Sequence, residues 1–144
     1  MNDARTLAAF PLQSSDKLRY GDTDRQGHIN NAVYATFFET GRVEVIYNAG
    51  APLTDEGCSF VLARLLINYH AELNWPGEVT IGSRIVSVGR SSIQLEQAVF
   101  QGESCVASGE TTIVHFDQMT RKSRPLSEVS LVRIKASMQV AHGT

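Results

Sequence analysis

A chain of 144 residues, 42% hydrophobic and 19% charged, has the size of one domain and the make-up of a globular protein that can bury a core without disulfide or metal staples. Its formal net charge of −2, with Lys and Arg mostly scattered, argues against nucleic acid or an anionic membrane as partner. No apolar run reaches the ~20 residues that cross a bilayer; LAAFPL near the N-terminus is too short for a signal-peptide core and Pro11 interrupts it, so the cytoplasm is the expected compartment.

Cys58 and Cys105 form no CxxC pair, which leaves reduced, mostly buried thiols as the expectation. Neither repeat nor linker divides the chain. Residues 1–144 read as a single domain, with a core of about 15–125 and a tail or helix over 126–144.

Taken in order, SDKLRYGD (15–22) predicts a short leading strand. A cluster of polar residues follows, and then AVYATFFETGRVEVIYNAG, where Val33, Phe37, Gly41 and Val45 recur every four residues with Tyr34, Phe38 and Ile46 beside them. That spacing predicts an amphipathic helix, capped by Asn30 or Asn31 and stopped by Gly50 and Pro52. Gly41 costs that helix about 1 kcal/mol relative to alanine, which implies a close approach to a neighbouring backbone. Glu39 reads as an exposed or interface charge. Beyond the helix the period changes to two, predicting strands over 60–73, 78–89, 91–102 and 104–117. In the third of these segments Ile93, Leu95 and Val99 share one face, with Gln94 and Glu96 on the other. His70 and His115 fall in strands as core or interface groups, and His142 in the tail. The tail segment LSEVSLVRIKASMQV predicts a terminal helix with Leu126, Val129, Val132 and Ile134 on its apolar side. Consecutive strands with short turns favour an antiparallel sheet, so the class is α+β, with the long helix lying across the sheet.

The polar cluster is RYGDTDRQGHINNAVY, residues 19–34. A helix N-terminus offers unpaired N–H groups and partial positive charge, which can polarise a carbonyl or hold a developing oxyanion. A carboxylate close by can attack that carbonyl or deprotonate a water that does. Gly27 lets the backbone turn sharply and approach a ligand. His28 is placed to orient the water, to hydrogen-bond the carboxylate or to donate to a leaving group. Together these parts describe acyl transfer to water. Asp22, Asp24 and His28 are also metal-ligating types, but no HxH, HxxxH or second His-rich segment accompanies them, so neither a metal nor an organic cofactor is expected. Asp22 and Asp24 have a duller reading too, as turn and cap residues.

The pattern D-x-D-x-x-G-H-x-N-N-x-x-Y, with VGRSSI (88–93) and VHFDQMTRKSRPL (114–126), resembles the hotdog-fold acyl-CoA thioesterases related to 4-hydroxybenzoyl-CoA thioesterase. The resemblance spans roughly residues 17–125. It implies a curved five-stranded antiparallel sheet wrapped around one long central helix. It also implies a homodimer or homotetramer with the active site at the subunit interface. It makes Asp24 the catalytic carboxylate, as base or nucleophile, with the helix-start amide at Asn31 polarising the thioester. Plant acyl-ACP thioesterases are similar here as well; their D-x-N-x-H set maps to Asp24 and His28, with Gln26 in place of the asparagine. The expected catalytic residues are therefore Asp24, His28, Asn31 and Gln26. Gly27, Asn30, Tyr34, the Arg90–Ser91–Ser92 turn and the cations Arg121, Lys122 and Arg124 are expected to bind acyl-CoA, the cations reaching across from a neighbouring subunit. The alternatives are an acyl-ACP thioesterase and a non-catalytic acyl-CoA binder.

Overall fold

Alternating apolar residues assemble into five antiparallel strands in the computed structural model, which describes residues 6–47 and 52–139. The strands are β1 (Leu12–Lys17), β2 (Cys58–Tyr69), β3 (Glu78–Val88), β4 (Ser92–Gln101) and β5 (Ser104–Asp117). Their order across the sheet is β1-β3-β4-β5-β2, and a two-residue strand β6 (Lys122–Ser123) pairs with the end of β5. Register shifts at Leu62/Arg64, Ile85/Ser87 and Val99/Phe100 mark bulges, which bend and twist strands and let the sheet curl.

Helix α1 (Val33–Tyr47) lies in that curl. It starts where the Asn30 side-chain oxygen accepts the Ala32 N–H at 2.9 Å, so Asn30 caps the entry. Its buried stripe is Tyr34, Phe37, Phe38, Gly41, Arg42, Val45 and Ile46; the charge in that stripe was not expected. The stop at Gly50 lies outside the described residues. Around the first half of α1 the core is built from Leu18, Ile29, Leu73, Ile81 and Val99. Its second half packs on Ile85, Ile93, Leu95 and Ile113, closed by Leu126 and Ile134. The faces of β4 are as the alternation predicts, with Ile93, Leu95 and Val99 buried.

Four details differ from the sequence reading. The leading strand starts earlier and ends at Lys17, because Tyr20–Asp22 turns as a short 3-10 segment in which the Asp22 N–H donates to the Arg19 carbonyl. Helix α2 (Glu128–Gln139) forms, but Val129 and Val132 are 58% and 68% exposed. Ser127 caps this helix through the Ser130 N–H, and the Ser130 hydroxyl donates to the Leu53 carbonyl; those bonds turn the Ser130–Ile134 face inward. Gly41 is close to side chains rather than to backbone: a Cβ there would stand 2.5 Å from Ile81 and 2.8 Å from the Gln97 amide. His70 sits just past β2, exposed, with its ring 2.7 Å from the Ser108 hydroxyl, whereas His115 is fully buried. His142 lies outside the described residues. Cys58 is buried and Cys105 half-buried. No described helix is long and apolar enough to cross a membrane.

Candidate active site at the start of the central helix

The polar cluster folds into a two-armed loop. The Asn30 N–H donates to the Asp22 carbonyl at 2.8 Å, Thr23 bridges to Ile29, and the Asp24 N–H donates to the His28 carbonyl at 2.8 Å. Gly27, at φ 87°, closes the tip, its N–H donating to the Asp24 carbonyl at 3.0 Å. Few side chains tolerate that φ, so glycine is required by the turn. The loop is tied to the segment that follows β2, where the Leu73 carbonyl accepts the Ile29 N–H at 2.8 Å.

Within this frame the two aspartates part ways. Asp22 is buried and held by Arg19, whose Nη2 lies 2.8 Å from one carboxylate oxygen while the Arg19 backbone N–H donates to the other at 3.1 Å. The Arg19 side chain holds the Asp22 carboxyl below its ordinary value of 3.8, outweighing the opposing effect of burial. A depressed carboxyl contributes stability above its unfolded pKa and loses it as pH falls through the folded value. Asp22→Asn is therefore expected to be less stable than wild type at neutral pH. Urea titrations at stepped pH should show that gap closing below about pH 3.8; a gap that persists in acid would mean the pair contributes nothing specific.

Asp24 is half-buried, and one of its oxygens accepts the Gln26 N–H at 2.9 Å and the His28 N–H at 3.3 Å. Its second oxygen has no donor among the described residues. The carboxylate is thus oriented by backbone amides and still open on one side. At the helix start, the Asn31 backbone N–H has no acceptor among the described residues. The Asn31 carbonyl is occupied, accepting from the Tyr69 hydroxyl at 3.1 Å.

The other cluster residues take varied places. His28 meets the Asp24 carboxylate through its backbone, while its ring nitrogen Nε2 lies 3.2 Å from Glu72. Gln26 likewise contributes its backbone amide and leaves its side chain exposed. Tyr34 is buried edge-to-face against Tyr69 at 4.9 Å, its hydroxyl directed to the Ala71 carbonyl. Burial, then Tyr69 and Glu72, push the Tyr34 phenol up. Tyr69 and Glu72 were missed in the sequence. Nothing local marks them, because only the antiparallel return of β2 carries them to the helix start.

The two cationic segments come together, but elsewhere. The Leu126 N–H donates to the Arg90 carbonyl, the His115 N–H to that of Ser91, and the Arg124 N–H to that of His115. Arg90, Arg121 and Lys122 are exposed. Arg121 lies over the Phe116 ring at 5.2 Å, and Arg124 reaches the Cys58 sulfur at 3.3 Å. The Asp24 loop is tied through residues 69–73 to Val106 at one end of β5, whereas these cations sit by His115 at the other. At ~3.3 Å per strand residue the separation is roughly 30 Å. Within one chain, Arg90, Ser91, Ser92, Arg121, Lys122 and Arg124 are not part of the Asp24 site.

A curved antiparallel sheet wrapped around one long helix is the hotdog arrangement, the fold of solved thioesterases. The model of the thioesterase-like superfamily matches residues 18–134, and the chain belongs to that family. The acyl-CoA thioester hydrolase YbgC of Escherichia coli O157:H7 is 25% identical over 134 residues, covering 90% of this chain and 97% of its own. The chloroplastic acyl-acyl carrier protein thioesterase ATL2 of Arabidopsis thaliana is 27% identical over 118 residues, covering 78% of this chain and 63% of its own. A thioesterase of Thermus thermophilus, solved with coenzyme A and Zn, superposes with a TM-score of 0.79 at 30% identity, covering 90% of this chain and 96% of that one.

Proposed function

We propose that this chain hydrolyses acyl-CoA thioesters to the free acid and CoA, with Asp24 as the catalytic carboxylate. One observation carries the reading: Asp24 has one oxygen fixed by two amides and the other without a donor among the described residues, in the loop that leads into α1, where the Asn31 amide has no acceptor among the described residues. On the base route, Asp24 takes a proton from water as the water oxygen bonds to the thioester carbon. The carbonyl electrons move onto its oxygen, which the Asn31 N–H and the positive end of α1 hold. Collapse expels the CoA thiolate, which takes up a proton. On the nucleophile route the Asp24 oxygen bonds to the carbon itself, the C–S bond breaks and the CoA thiolate leaves and takes up a proton, and water then cleaves the anhydride to the free acid and the Asp24 carboxylate. Gly27, Asn30 and Tyr34 border the acyl carbonyl, with His28 and Gln26 shaping the loop.

The likenesses to YbgC and to the CoA-bound Thermus thermophilus structure support CoA as carrier. The likeness to ATL2 supports a second reading, acyl-ACP. Thiol release from matched acyl-CoA and acyl-ACP panels tests both. Turnover of the CoA series supports the first; turnover of acyl-ACP alone replaces it with the second. Tight binding of acyl-CoA with no thiol released would make the protein a binder.

The site is proposed to be shared between two copies, in a homodimer or a homotetramer of dimers. The outer edge of β2 bonds to no described strand, over 12 residues, and exposes Leu62 and Tyr69. Such an edge is a template for pairing. Antiparallel pairing of two β2 edges carries the partner's cationic end towards this chain's Asp24, which accounts for the separation within one chain. Replacing Arg90, Arg121 and Lys122 together by alanine is then expected to raise KM for acyl-CoA about tenfold or more with kcat within about twofold, at roughly 0.5–1 kcal/mol for each cation–phosphate contact. Steady-state kinetics check this; an unchanged KM removes the cations from the CoA site.

A further inference from the structure

Helix α1 buries a charge. Arg42 is 7% exposed, and its Nη1 has no hydrogen-bond partner among the described residues. Burial pulls the guanidinium pKa down, and Glu39 acts against that. A buried guanidinium nitrogen without an acceptor is unfavourable, and such groups are retained where a partner completes them. Glu39, three residues earlier, is exposed.

The level of Arg42 in the fold follows from its neighbours. Tyr34 touches Tyr69 of β2. Phe38, one turn on, meets Gly109, where a Cβ would stand 3.3 Å from its ring, and Gly109 pairs with Ile67 of β2. Helix α1 therefore runs antiparallel to β2, and the next turn carries Arg42 to the level of the Leu65–Thr111 pair. That is near the middle of β2, and Glu39 and Arg42 flank Thr40 at the middle of α1. A two-fold axis near this level pairs the two β2 edges over most of their length. It also sets two α1 helices side by side in opposite directions. In an isologous contact residue i meets j and j meets i, so an acid at 39 and a base at 42 are self-complementary.

We propose that Glu39 of a second copy of this chain completes Arg42, in a reciprocal pair of ion pairs that fixes the register of the dimer. The proposal rests on the two-copy reading above and adds the residues that set its axis.

The test uses E39R and R42E, with fold checked by circular dichroism and assembly measured by sedimentation. Each variant alone is expected to weaken the dimer about 100-fold or more, since like charges then meet twice. An equimolar mixture is expected to regain a heterodimer, because a doubly positive helix faces a doubly negative one. A mixture that does not assemble, while wild type is dimeric, overturns the proposal and leaves the two-copy reading standing; it would mean that Glu39 serves its own chain. A monomeric wild type at ~10 µM overturns both. Should R42E fail to fold, E39K replaces it as the decisive variant: it is expected to dissociate, with partial recovery on adding R42M. An E39K dimer as tight as wild type would sink the proposal.

Discussion

Asp24→Asn is expected to lower kcat by at least ~10², the scale of losing a positioned base, with an unchanged thermal midpoint. Asparagine keeps the oxygen that accepts from the Gln26 and His28 amides, so the loop should hold its shape. It replaces the open oxygen with an NH2 group that neither takes a proton nor attacks a carbon. The loss should therefore fall on kcat, with KM nearly constant. Thiol-release kinetics beside circular dichroism check this, and nearly full activity in the variant would falsify the catalytic assignment. Label found in Asp24 after one turnover of wild type in labelled water would select the nucleophile route, since its entry requires the anhydride.

The second large effect lies under the middle of the helix. Gly41→Val is expected to lower stability by about 3 kcal/mol or more, and even Gly41→Ala to lower it by about 2. Alanine gains about 1 kcal/mol of helix propensity. Against that, its Cβ would stand 2.5 Å from Ile81, 2.8 Å from Gln97 Nε2 and 3.0 Å from the Ser83 hydroxyl. Those groups have little room to yield. Gln97 is buried and spends its side chain on the Phe38 carbonyl, the Ser83 hydroxyl and the Thr111 hydroxyl, each at 3.0 Å. Overpacking and a broken buried polar group each cost ~1–3 kcal/mol, so they outweigh the propensity gain. Urea unfolding checks the sign. A raised midpoint for Gly41→Ala would show that α1 can lift off the sheet freely.

Elements were legible in the sequence wherever a period and a stop signal agreed. The spacing of Tyr34, Phe37, Phe38, Val45 and Ile46 predicted α1, and the alternation of Ile93, Leu95 and Val99 predicted the inner face of β4. Both patterns record burial on one side of a repeating backbone. Helix α2 was legible as a helix but not in its facing, because the choice between the Val129–Val132 and Ser130–Ile134 sides depends on where the Leu53 carbonyl stands. The Asp22–Arg19 pair was half legible: the spacing of three suits it, but nothing in the chain says which aspartate is buried.

By itself, then, the sequence determined the α+β order of elements, a helix cap at Asn30 or Asn31 and the sharp turn at Gly27, because each depends on residues within one or two turns of chain. It also carried, through the spacing of Asp24, Gly27, His28 and Asn31, the resemblance to the family. Only the tertiary structure decided that Asp22 is spent on Arg19 while Asp24 stays open, that Tyr69 and Glu72 return to the helix start, and that the cations gather at the far end of the sheet. Those outcomes depend on strand pairings between residues tens of positions apart. Side-chain pattern says which face of a strand is buried, but the pairing that brings two distant strands into register is set by the packing of the whole sheet around α1.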